Sequence, residues 1–284
     1  MDSKYYYRKT ALITGGSSGI GLAIAKKLAA QGACVWILAR REDVLQQALD
    51  EIKAARIDPG QEMGMIQADI ADRETVTRLL QQHLAQYGAP DILINGAGIT
   101  HPALFTDTPF SVFDEIMQIN FQGTVNVTKT VLPAMIARGS GHLAIVGSGG
   151  GFIGLIGYSA YSASKFALRG FADVLRQECR PTGVKVHYIA PSDTQTPQLE
   201  YENTFKPAIT RELVGTNSKV QTAEQVADCV LPQMARGRYM IIPGGDVRLY
   251  YYLTNTFGLV YPIMDLLVDQ AWKKINAAKG DGRQ

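Results

Sequence analysis

Between Thr10 and Ile242, short apolar runs alternate with longer stretches whose apolar residues recur at helical spacing. "TALIT" (Thr10–Thr14), "CVWILA" (Cys34–Ala39), "MGMIQAD" (Met63–Asp69) and "DILIN" (Asp91–Asn95) read as strands. So do "HLAIVGS" (His142–Ser148), "VKVHYIA" (Val184–Ala190) and "YMII" (Tyr239–Ile242). Helical periodicity spans Gly19–Gln31, Glu42–Ala55, Arg73–Tyr87, Ser111–Arg138, Ser159–Cys179 and Thr222–Arg236. The strand runs are continuously apolar rather than alternating, as expected of strands covered on both faces. The alternation of strand and helix predicts an α/β fold. We expect a single Rossmann-type, doubly wound parallel sheet of about seven strands with helices on both faces.

The rhythm breaks twice. Residues 192–220 are long, polar and proline-containing, which predicts a substrate-binding loop or lid. Residues 1–245 then form one Rossmann-type unit, and 246–284 an apolar C-terminal extension. Within it, Leu249–Met264 carries no charge over 16 residues, short of the roughly 20 that span a bilayer. Three readings stay open for it: a peripheral membrane contact, a partner-binding element, or a segment packed on the core.

Composition narrows the function. Apolar residues make up 46% of the 284, enough for one sizeable core. A net charge of +2, with scattered lysines and arginines, argues against nucleic acid as a partner. Cys34, Cys179 and Cys229 are far apart and odd in number, so neither a disulfide framework nor a zinc site is expected. Buried thiols in a reducing, cytoplasmic setting fit better. His83, His101, His142 and His187 show no ligand spacing, and no metal is expected. "MDSKYYYRKTALIT" has no signal-peptide core.

"TGGSSGIG" (Thr14–Gly21) joins the first strand to the first helix. Its glycines allow a sharp turn and close approach of a ligand. The helix that follows offers free N–H groups to a pyrophosphate. Further on, "AYSASKFAL" (Ala160–Leu168) puts Tyr161 and Lys165 four residues apart, on one helix face. Tyr5 and Lys9 have the same spacing, so the pair proves nothing alone. Tyr161 differs in following a serine-ended strand and a cofactor turn; Tyr5 has neither and reads as surface. A tyrosine ionises near pH 10, and bringing it near 7 takes about 4 kcal/mol. A cation about 4 Å away supplies up to about that much at an effective dielectric near 20.

The ordered set resembles the classical short-chain dehydrogenase/reductase family over about Lys9–Ile242: the T-G-x-x-x-G-x-G turn, Asp69, "NGAG" (Asn95–Gly98), Asn120, Ser148 and Tyr161/Lys165. Two departures touch backbone rather than reacting groups: Asn95-Gly96 where the family commonly has two asparagines, and Pro191-Ser192 where it has Pro-Gly. The resemblance implies Tyr161 as proton donor, Lys165 as its tuner and a ribose ligand, and Ser148 as hydrogen-bond donor to the carbonyl. It implies that Asn120 holds a water linking Lys165 to solvent. It also implies cofactor contacts from Gly15, Ser17, Ser18, Gly19 and Ile20 of the turn. Arg40, Asp69, Ile70, Asn95, Thr194 and Thr196 complete that set. NAD-selective members carry an acid near the end of the second strand; here Trp36 stands at the expected place, with Arg40 and Arg41 beyond. NADPH is therefore expected, with Arg40 on the 2′-phosphate. "APSDTQTPQLEYENTFKPAITREL" further resembles the 3-ketodihydrosphingosine (3-dehydrosphinganine) reductase branch, through Pro191, Asp193, Thr194, Thr196, Pro197, Glu202, Asn203, Lys206 and Pro207. That implies a long-chain ketone substrate. Another bulky ketone (a 3-oxoacyl thioester, a steroid or a secondary metabolite) remains the alternative, and a silent nucleotide-binding scaffold the alternative of a different class. The family's habit implies a homodimer or homotetramer through the helices at 111–138 and 159–179.

Overall fold

The computed structural model describes residues 5–214, 220–256 and 260–280. Strands β1 (Thr10–Thr14), β2 (Cys34–Ala39), β3 (Met63–Gln67), β4 (Ile92–Asn95), β5 (Gly141–Val146) and β6 (Val184–Ile189) alternate with helices. The helices are α1 (Gly19–Ala29), α2 (Glu42–Ala54), α3 (Arg73–Tyr87), α4 (Phe110–Ile116), α5 (Thr124–Arg138) and α6 (Ser159–Glu178). Then come β7 (Thr194–Gln195), α7 (Pro197–Phe205), α8 (Ala208–Val214), β8 (Gln221–Thr222), α9 (Ala223–Ala235), β9 (Met240–Ile241), α10 (Gly245–Thr256) and α11 (Val260–Gly280). The main sheet has seven strands in the order β3-β2-β1-β4-β5-β6-β9, all pairs parallel. β7 and β8 form a separate short pair.

Strand side chains feed two cores. Ile13, Val35 and Ile37 pack with Ile24, Leu28, Leu45 and Val226 beneath α1, α2 and α9. Leu12, Leu38 and Leu143 pack with Leu80, Val131 and Leu168 beneath α3, α5 and α6. This two-sided burial is why the strands read as continuous apolar runs. Local signals set the helix starts. The Asp72 carboxylate accepts from Thr75 N–H at the start of α3, and Thr222 and Gln225 form a reciprocal capping box on α9.

Chain direction around the sheet reverses between β1 and β4, which pair with each other. In such sheets the ligand crevice opens above the carboxyl ends at that reversal.

Four expectations are corrected. The helix read as Ser111–Arg138 is interrupted by a π-helical stretch, Met117–Gly123, between α4 and α5. The Thr124 hydroxyl donates to the Asn120 carbonyl at 2.8 Å, occupying an oxygen within the irregular turn. Residues 192–214 are not a polar loop, because α7 and α8 fold there; Thr196 caps α7 and Pro197 sits in its first turn. The rest of that loop, 215–219, lies outside the described residues. The Tyr5–Lys9 segment is not a surface appendage. Tyr6 is fully buried and its hydroxyl donates to the Leu231 carbonyl of α9 at 2.8 Å. Trp36 does not stand at the cofactor end of β2. It packs with His83 and Tyr87 over Gly64, and Ala39 and Arg40 end the strand on the crevice side.

The apolar segment 249–264 falls on α10 and the start of α11, with 257–259 outside the described residues. Tyr251 packs on Phe152, while Leu249 and Tyr252 are exposed. Farther along α11, Leu267, Gln270 and Ala271 reach the crevice. α11 rests on α8, where Lys274 pairs with Glu212 at 2.6 Å. Among the described residues no helix is long and apolar enough to cross a membrane.

Candidate active site

A cavity of about 1020 Å³ opens above the carboxyl ends of β1 and β4. Its floor at one end is the glycine turn. Gly15 adopts φ +67°, and a Cβ there would lie 2.7 Å from the Ala97 nitrogen. Only glycine lets the turn after β1 lie this close to the turn after β4. Gly19 (φ +53°) sits against Thr196, where a Cβ would come within 2.9 Å of its methyl. Ser17, Ser18 and Ile20 share this wall at the start of α1.

Arg40 and Arg41 follow β2 on the cavity rim, and the Arg40 guanidinium lies 3.6 Å from the Asp69 carboxylate. Asp69 also accepts from Ala71 N–H at 2.9 Å, and Ile70 lines the wall beside it. This end offers glycine backbone, helix N–H groups and a guanidinium. That donor set fits a phosphorylated dinucleotide.

At the other end stand the groups for proton transfer. Ser148 follows β5, and its oxygen accepts from Gly150 N–H at 3.1 Å; the Tyr161 ring and the Ser148 hydroxyl both lie against Gly150. Lys165 lies one helical turn beyond Tyr161, with its ammonium 5.4 Å from the tyrosine ring centre. The ammonium donates to the Val146 carbonyl at 3.1 Å. Lys165 is buried, and burial lowers its pKa to about 8. Tyr161 is shifted the other way. Burial raises its phenol and the Glu202 charge raises it further, while the Ser148 hydroxyl opposes both. Burial thus favours the neutral form of each group. The phenol is held protonated, the form an acid needs.

Asn120 and Asn95 are buried and do not face the cavity. The Asn120 amide accepts from Ile99 N–H at 2.7 Å and donates to the Ile99 carbonyl at 2.9 Å and the Ser164 hydroxyl at 3.0 Å. It therefore ties the turn after β4 to α6. Asn95 donates to Thr128 at 3.0 Å, toward α5, and its side chain lies behind the cavity wall. The wall there is the backbone of Gly96–Gly98 instead. Thr194 and Thr196 line the cavity, each also donating to a nearby carbonyl.

Other wall residues were assigned no site role from the sequence, though Glu202 belonged to the branch resemblance. The Tyr158 hydroxyl donates to Glu202 at 2.8 Å, and both line the cavity, largely buried. Ser162 lies within the same cluster, near Gly150, Ser148 and Tyr161. His101 reaches the cavity and contacts the Tyr201 hydroxyl at 2.8 Å. The Tyr158–Glu202 and His101–Tyr201 contacts join segments 44 and 100 residues apart; no local spacing announces them. Among the described residues no cluster of histidine, cysteine or carboxylate is arranged to hold a metal.

A parallel doubly wound sheet, a glycine turn at its reversal point and a Ser–Tyr–Lys group in one cavity define a dinucleotide-dependent oxidoreductase of alcohol and carbonyl groups. Comparison with known proteins agrees. The family model described as short chain dehydrogenase matches residues 9–206. The chain belongs to that family. It is 38% identical over 255 residues to a 3-ketodihydrosphingosine reductase of Bos taurus, covering 89% of this chain and 76% of the relative. It is 37% identical over 244 residues to a 3-dehydrosphinganine reductase of Danio rerio, covering 86% and 73%. The fold is similar to a short chain dehydrogenase/reductase of Burkholderia phymatum solved in complex with NAD. The TM-score is 0.76 at 21% identity, over 88% of this chain and 93% of that one.

Proposed function

We propose that the protein reduces the ketone of a long-chain amino ketone of the 3-ketodihydrosphingosine type, using NADPH. The carrying observation is one cavity with a phosphate-fitting end and a Ser148–Tyr161–Lys165 end, in a chain whose matched relatives bear that reductase name. The backbone of Gly15–Gly19 and the α1 N-terminus would hold the pyrophosphate, and Arg40 the 2′-phosphate. The bound cofactor supplies the hydride. Ser148 orients the carbonyl by donating to its oxygen as charge develops there. Tyr161 holds the proton at Oη and delivers it to that same oxygen. Lys165 opposes the charge left on the phenol and reaches the ribose. Asn120 keeps the turn after β4 and α6 in register, and a water near it would connect Lys165 to solvent.

Within the same reading, residues 1–245 act as the reductase unit and the C-terminal helices cap it. Exposed Leu249 and Tyr252 support a peripheral contact with the cytoplasmic face of a membrane. Exposed Ile136 on α5, with Phe166 and Val174 on α6, supports a homodimer or homotetramer. Light scattering and flotation with lipid vesicles check these two points. The central test is NADPH oxidation with 3-ketodihydrosphingosine, repeated with a long-chain 3-oxoacyl thioester. Turnover of the thioester alone would sink the amino-ketone reading.

A further inference from the structure

The cavity wall that carries Tyr161 also carries a buried carboxylate with no part in hydride or proton transfer. Glu202, in α7, is 9% exposed and lines the cavity. One oxygen accepts from Tyr158 Oη at 2.8 Å and the other from Gln198 Nε2 at 3.2 Å. Buried Lys206 forms an ion pair with Glu202 at 3.9 Å, longer than a hydrogen bond, and its ammonium donates to Asn203 Oδ1 at 2.9 Å, so the carboxylate is only partly compensated from within the chain. A carboxylate offers about four acceptor directions, so the two hydrogen bonds leave room for a donor from the cavity. The Tyr158 and Tyr161 rings are 6.0 Å apart, which sets Glu202 one aromatic ring from the acid. Asp193, also on the cavity wall, adds negative potential at the same place.

A carboxylate here is a handicap for an ordinary ketone. Negative charge builds on the carbonyl oxygen at Tyr161, and a neighbouring anion opposes it. The handicap vanishes if the substrate brings its own cation on the adjoining carbon. We propose that Glu202 is the specificity residue for the substrate: it accepts a charge-assisted hydrogen bond from an ammonium on the carbon next to the ketone, while Tyr158 and Gln198 hold its oxygens in place. This rests on the amino-ketone reading above. The ion pair selects amino ketones and cancels the field that would slow reduction of a ketone without the amine.

The test measures kcat/KM for 3-ketodihydrosphingosine and for the same chain with hydrogen in place of the amine, in wild type and Glu202→Gln. Loss of one partner of a buried ion pair corresponds to at least about 30-fold. Wild type should prefer the amine by at least that factor. Glu202→Gln, which keeps shape and an acceptor for Tyr158, should lower the amino-ketone value about 30- to 100-fold while leaving the amine-free value unchanged or higher. That crossover is not expected of a merely structural glutamate. Equal losses on both ketones overturn the inference. So does a wild-type preference below about threefold (well short of that factor), which requires no variant. Wild-type protein that reduces neither ketone overturns the functional proposal itself.

Discussion

Two histidines that looked idle in the sequence form a chain of hydrogen bonds whose protons can be placed. His187 Nδ1 is 2.6 Å from the Arg238 carbonyl, an acceptor only, so that nitrogen carries hydrogen. With both rings neutral, His187 Nε2 accepts from His142 Nδ1 at 2.9 Å, and His142 Nε2 from the Tyr5 hydroxyl at 2.8 Å. Every bond is then met without a charged ring. Burial drives His142 down to about 3, helped by the neighbouring His187, and burial takes His187 to about 4. Unfolded histidine titrates near 6.5, so between about pH 4 and 6.5 the unfolded chain binds more protons. Stability should therefore fall on acidification from pH 6.5, on the order of 1–2 kcal/mol per pH unit. Urea midpoints at pH 7 and pH 5 check this, and His142→Gln should flatten the difference. At the active site the signs differ. The proposed reduction needs Lys165 charged and Tyr161 protonated, so kcat/KM should hold below about pH 8 and fall about tenfold per unit above it. A flat profile to pH 10 would contradict that role. Tyr161→Phe should cut kcat about 100- to 10,000-fold with NADPH still bound, as read by cofactor fluorescence.

Elements decide how accurately these residues meet. The turn after β1 is bounded by glycine at φ +67°, and the turn after β4 packs directly over it. Arg40 stands just beyond β2, at the same end of the sheet. A guanidinium on a phosphate makes charge-assisted hydrogen bonds. Arg40→Ala should weaken NADPH about 10- to 100-fold and leave NADH nearly unchanged; equal losses would remove Arg40 from the 2′-phosphate. Much of this level was legible beforehand. Strand positions came from continuous apolar runs and the cofactor turn from glycine spacing. The π-helical stretch was not legible. Its apolar residues keep a helical spacing, and the irregularity lies in backbone bonding around Asn120. Nor was the inward turn of Asn95, because the partner that orients it, Thr128, lies 33 residues away.

At the scale of the molecule, the C-terminal helices complete the cavity. Ala271 is 2% exposed on α11 and faces the same space as Glu202 and Tyr161. Ala271→Trp should raise KM for a long-chain ketone about tenfold, the cost of excluding a few methylenes, and barely affect a short one. An equal effect on both would show that α11 does not bound the chain-binding end. The Lys274–Glu212 pair that ties α11 to α8 is largely solvated at the lysine, so Lys274→Ala should change stability by no more than about 1 kcal/mol.

The class of fold, the cofactor turn and the Tyr161–Lys165 pair depended on local patterns: apolar periodicity, glycine spacing, and two side chains one helical turn apart. Such features are set by neighbours along the chain, and so the sequence by itself determined them. Tyr6 in the core, the neutral histidine chain, Trp36 away from the cofactor and Glu202 beside Tyr161 were decided only by tertiary structure. Each depends on burial and on a partner distant in sequence. Desolvation, which raises the Tyr161 phenol and lowers Lys165, exists only once the chain has closed around the two groups.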